Sequence, residues 1–175
     1  MSKVIEKTLY RIAELPDDVQ EKAHQQFTSD DCYAWSEEAI ASIKALAEHF
    51  NGRVTNYDID WLNPGYSHFK FDMPEMTPAE IRAKLKELGT YNKRTGKGHG
   101  QCKLTGYCAD EDCIDGFRLA FRNNPKQSLE DLMHYAGEEL LWSACRDYEH
   151  QLSMESFIET CEANDYWFDE NGNLA

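Results

Sequence analysis

From Ser128 onward the chain places apolar residues at Leu129, Leu132, Ala136, Leu140, Ala144 and Tyr148. Steps of three and four residues put these side chains on one side of a helix, so the segment is expected to be a long helix buried along most of one face. Ser128 is a suitable N-cap, with Asp131 three residues on.

Other segments repeat this period. LPDDVQEKAHQQF opens a first helix, with Pro16 in its first turn and Asp17 and Asp18 at the positive end of its dipole. Val19, Ala23 and Phe27 form its stripe. WSEEAIASIKALAEHFNG predicts a second helix, with Trp35, Ala39, Ile43, Leu46 and Phe50 on one face. Ser36 is its expected N-cap, and Gly52 the left-handed residue that ends it. In TPAE, Thr77 caps, Pro78 takes the first helical position and Glu80 completes a capping box. Ile81, Leu85 and Leu88 follow, and Gly89 stops this third helix. A fourth runs from about Asp112 to Phe121, with Ile114, Phe117 and Phe121 on one side. Ser153 caps a last helix holding Phe157, Ile158 and Cys161, and Asn164 ends it.

Two segments have a period of two. Thr55, Tyr57, Ile59 and Trp61 alternate, as do Ser67, Phe69 and Phe71, and Asn63, Pro64 and Gly65 can turn between them. The fold expected is therefore α+β and mostly α, with about six helices packed on a small antiparallel β-hairpin. Residues 1–175 are read as one domain, with an irregular basic loop at about 89–106 and a short aromatic tail at 164–175. That tail, DYWFDENGN, either folds back as a short strand or presents an aromatic anchor.

Charge narrows the function. The formal net charge is −14, and such a surface repels nucleic acid and anionic membranes, whose phosphates call for clustered Lys and Arg. Neither direct nucleic-acid binding nor membrane association is expected; a protein partner with a basic surface is. From Lys126 to the end, twelve acids face only Lys126 and Arg146. Glu138, Glu139, Glu149, Glu155, Glu159 and Asp165 are the candidate contact acids, with Trp167 as an aromatic contact. Trp35 and Trp142 lie on or beside helix stripes and are expected in the core. No N-terminal apolar leader and no run of about 18 apolar residues occur, so the six cysteines are expected to stay reduced in the cytoplasm.

The segment HGQCKLTGYCADEDC, residues 99–113, is the most chemically loaded. Zinc is one possibility, held by His99, Cys102, Cys108 and Cys113, since imidazole and thiolates make tetrahedral sites. The spacing lacks the paired C-x2-C knuckles of most structural zinc sites, and Cys113 borders the apolar stripe of the fourth helix. A turn explains more: Leu104 and Tyr107 flank it, and Asp110 or Asp112 caps the next helix. No Walker loop, dinucleotide fingerprint, nucleophile elbow or C-x-x-C redox pair is present. Adjacent Glu138 and Glu139 lack the Glu-x-x-His pairs of a di-iron bundle. The chain is expected to be non-enzymatic and to need no cofactor, with a zinc-binding protein or zinc enzyme on the His/Cys cluster as the alternative.

LYRIAELPDDVQEKA, CYAWSEEAIASIKALAEHF, LTGYCADEDCIDGF and ANDYWFDENGN together resemble a group of small acidic phage and prophage proteins. These are often labelled "antitoxin of toxin–antitoxin stability system". The resemblance spans most of the chain and implies a binding role, with no catalytic residues to carry over. It points to mobile-element biology in a bacterial host. With the acidic C-terminal segment, the expected target is a toxin, or a nucleic-acid-handling defence protein inhibited in the anti-CRISPR or anti-restriction manner, its basic groove occupied by the acids as DNA mimics.

Overall fold

A computed structural model of the protein describes residues 8–29, 32–92, 97–99 and 104–175. Its elements are α1 (Asp17–Thr28), α2 (Ser36–His49), β1 (Arg53–Asp58), β2 (His68–Asp72), α3 (Pro78–Glu87), β3 (Thr90–Asn92), β4 (Lys97–His99), α4 (Ala109–Asn123), α5 (Leu129–Gln151) and α6 (Met154–Ala163). Six helices with an antiparallel hairpin give the mostly helical α+β class that the periodicities predict. Contacts group the chain into two compact units, residues 33–146 and residues 1–32 with 147–175.

The unit of residues 33–146 has the larger core. Ile43, Leu46 and Phe50 of α2, Phe69 and Phe71 of β2, and Ile81 of α3 are buried in it with Phe117 of α4 and Leu132, Ala136 and Leu140 of α5. The rings of Phe50 and Phe117 stack at 4.7 Å. β1 pairs with β2 from Arg53–Asp72 to Asp58–His68, and the register slips between Val54 and Asn56, leaving Thr55 as a bulge. The expected Asn63-Pro64-Gly65 turn contains a single 3-10 turn, Pro64–Tyr66.

The caps of α3 and α5 form as their sequences predict. Thr77 Oγ1 accepts from Glu80 N and Thr77 N donates to Glu80 Oε2, and Ser128 Oγ accepts from Asp131 N at 3.1 Å. α2 differs at both ends. Its N-cap position is held by Trp35, with no side-chain bond. The left-handed residue after it is Asn51, φ 60°, whose short polar side chain tolerates that conformation. Gly52 is needed for space instead: a Cβ there would lie 2.9 Å from the Asp72 carbonyl oxygen and 2.3 Å from Met73 Sδ.

Part of the segment expected to be an irregular loop is a second hairpin, Thr90 opposite His99 and Asn92 opposite Lys97. Backbone groups alone make such a ladder, so no alternation of side chains announced it. Residues 93–96 and 100–103 lie outside the described residues. α4 begins at Ala109, three positions before the expected start at Asp112.

The other unit is built from both ends of the chain. Ile12, Leu15, Ala23, Phe157, Cys161 and Phe168 are its buried cluster. Ser153 caps α6 by accepting from Ser156 N. The aromatic tail folds back: Phe168 N donates to Tyr10 O and Tyr10 N to Phe168 O. Phe27, expected in the α1 stripe, is 44% exposed, its ring tilted against that of Phe157 with centroids 5.0 Å apart.

Candidate protein-binding surface

The cysteine-rich segment forms a turn in its described part. Asp110, fully buried in the first turn of α4, reaches backward. It accepts from Thr105 N at 3.0 Å, Gly106 N at 2.8 Å and Thr105 Oγ1 at 2.7 Å. Gly106 turns the chain at φ +87°, which a Cβ would disfavour. The sequence expected this acid to cap the helix that follows; instead it clamps the loop that precedes it.

Of the four candidate zinc ligands, Cys102 and the His99 side chain lie outside the described residues. Cys108 is exposed and Cys113 is buried, and a step of five positions turns about 140° round a helix. Cys113 sits in the core beside Ile114 and Phe117. Among the described residues, no group of three His, Cys, Asp or Glu side chains is placed to hold a metal ion. No helix among them is long and apolar enough to cross a membrane.

The candidate contact acids divide. Glu149, Glu155 and Glu159 are exposed on α5 and α6. Asp165, at φ 61°, ion-pairs with the Arg11 guanidinium, which also lies 3.9 Å over the Trp167 ring. Asp165 and Trp167 are thus occupied within the fold. Glu138 and Glu139 are different, because both line one cleft of about 320 Å³ between α4 and α5.

That cleft follows from helix geometry. On α5 the buried stripe holds one side, and Tyr135, Glu138, Glu139 and Trp142 fall roughly opposite it at 100° per residue. Tyr135 and Trp142 are two turns apart on one line, and the two glutamates flank that line. α4 approaches closely at Gly116, where a Cβ would meet Glu139 Cβ at 2.7 Å and Tyr135 O at 2.9 Å. Beyond this crossing the cleft opens between Leu119 and Asn123 of α4 and Tyr135 and Trp142 of α5. A shallower depression shares Tyr135 and Glu138 and adds Asp131 and His134.

Three large side chains in this cleft face solvent: Leu119 is 48% exposed, Tyr135 46% and Trp142 53%. Trp142 was expected in the core. It stands two positions past Leu140, about 200° away round the helix, so the cleft takes it and the core does not. Trp35 is exposed too, because it precedes α2 as a cap and does not belong to its stripe. Neither Glu138 nor Glu139 has a hydrogen-bond or ion-pair partner among the described residues, and no described Lys or Arg lines either depression. Carboxylates, aromatic faces and an aliphatic wall together favour a cation with an apolar flank.

Sequence reasoning found the two glutamates and missed Leu119, Tyr135 and Trp142. The available signal was the i, i+3/i+4, i+7 order of aromatic, acid and aromatic on the face of α5 away from its stripe. No protein-family model matches the chain, and no curated protein or solved structure matches it.

Proposed function

We propose that this chain is a non-enzymatic binding module that engages a protein with a basic surface, centred on the α4–α5 cleft. The observation that carries this is the pairing of unpartnered Glu138 and Glu139 with exposed Leu119, Tyr135 and Trp142. Protein interfaces concentrate aromatic anchors such as Trp and Tyr, and complementary charge around them selects the partner. Exposed Glu149, Glu155 and Glu159 add negative potential that steers a basic partner in and orients it. The net charge of −14 acts in the same sense over longer range.

The partner class proposed is a toxin or a nucleic-acid-handling defence protein in the cytoplasm of a bacterial host. Carboxylates there take the place of phosphates in a basic groove. The sequence likeness to small acidic phage and prophage proteins is in keeping with this. Affinity capture from host lysate at low and high salt, with wild type and Glu138→Gln/Glu139→Gln side by side, tests it. A partner retained at low salt, released at high salt and weakened by the double substitution is expected. Retention that stays flat across ionic strength and ignores both glutamates overturns it.

A further inference from the structure

The α4–α5 cleft holds two parts of an arrangement that the chain completes elsewhere. At Arg11, a guanidinium lies 3.9 Å over the Trp167 ring while Nη2 bonds the Asp165 carboxylate and Nη1 donates to Tyr166 O at 3.4 Å. This is an arginine held by ring stacking and a carboxylate together, a combination that a planar guanidinium serves and a compact ammonium does not. Trp142 and Tyr135 repeat the ring, and Glu138 and Glu139 repeat the carboxylate, once on each side. The arginine is what this second set lacks.

We infer that the cleft is an arginine-docking site: an arginine on an apolar-flanked segment of the partner protein lies against Trp142 and Tyr135, and Glu138 or Glu139 takes its N–H groups. This rests on the binding role proposed above and narrows it to a residue type. Charge complementarity selects the occupant, since carboxylates and ring faces attract a cation. The exposed Leu119 on the α4 wall asks for an apolar neighbour beside it. A lysine satisfies the charge but loses the planar stacking and the paired donors.

The probes are three helical peptides, identical except that the basic positions carry arginine, lysine or the neutral isostere citrulline, with leucine alongside. Binding is read by peptide fluorescence anisotropy and by the indole signal of Trp142 in NMR. The arginine peptide is expected to bind about tenfold more tightly than the lysine peptide, and the citrulline peptide to show no saturable binding. Trp142→Leu and Glu138→Gln/Glu139→Gln should each weaken the arginine peptide by about tenfold with the circular dichroism spectrum unchanged, because these side chains are exposed.

Equal affinity for arginine and lysine, both lost in the double glutamine variant, overturns the inference while leaving an acidic docking surface intact. Arginine-peptide binding that Trp142→Leu does not change overturns it as well. No binding of any peptide, together with partner capture indifferent to salt and to both glutamates, removes the inference and the proposed function. If sedimentation instead gives a dimer that Trp142→Leu dissociates, the occupant is a second copy and the inference falls.

Discussion

At Asp110 one buried carboxylate accepts three donors from the loop before it, so its removal strands the Thr105 and Gly106 N–H groups and leaves the Thr105 hydroxyl with Ser42 Oγ, 3.3 Å away. Asp110→Ala should lower unfolding free energy by about 2 kcal/mol in urea titration. Cys161 is a second local test. Burial, and after it the charge of Glu162, pushes its thiol up from 9.0 to about 11. Below pH 9.0 both folded and unfolded chains keep this proton. Between 9.0 and about 11 the unfolded chain releases it first, so the contribution to stability is lost as pH rises through that window. Iodoacetamide at about pH 8 should therefore label exposed Cys32 and Cys108 and leave Cys161 unmodified, by peptide mass spectrometry. At this scale the sequence named Glu138 and Glu139 as acids but could not place Trp142. A single residue's position relative to a stripe says which side it faces, and only the path of α4 says what lies there.

Helix ends and crossings carry the next level. The Thr77 bonds hold the Glu80 carboxyl below its usual 4.5. Its depressed value means a contribution present above 4.5 and lost as pH falls through the lowered folded value. Glu80→Gln keeps a capping partner without the charge, so it should flatten the acid limb of stability in urea titrations run from neutral to acidic pH. At the α4–α5 crossing, Gly116→Ala forces a methyl group against Tyr135 O and Glu139 Cβ. A loss of about 2 kcal/mol is expected, whereas Gly65→Ala, with nothing within 4 Å, should change stability by less than about 0.5 kcal/mol. Thermal and urea unfolding of the pair checks both. Periodicity made α1–α6 and β2 legible, because buried side chains impose their spacing on the sequence; β1 is exposed except at half-buried Val54, and the expected Ile59 and Trp61 lie beyond its end. β3 and β4 left no such trace, and neither did the exchange of duties between Asn51 and Gly52, which depends on how near Met73 comes. The cleft was illegible for a similar reason: it exists only where Gly116 lets the successive helices α4 and α5 come close.

For the molecule as a whole, charge and the pairing of remote segments matter most. Phe168 is buried against Phe157 and hydrogen-bonded through its backbone to Tyr10. Phe168→Ala should cost about 3 kcal/mol in denaturant unfolding, more than an exposed anchor would. The run of three aromatics between acids in the tail allowed either outcome, and the backbone bonds to Tyr10 bring about the closed one. Because the cluster of Ile12, Ala23, Phe157 and Phe168 draws on segments more than a hundred residues apart in the chain, it sets an order on biogenesis. On the ribosome, the contiguous stretch 33–146 can collapse as soon as it has emerged. α1, made before this stretch, must wait with Ala23 uncovered until α6 follows, so the face that closes last stays open throughout synthesis of the segment between them.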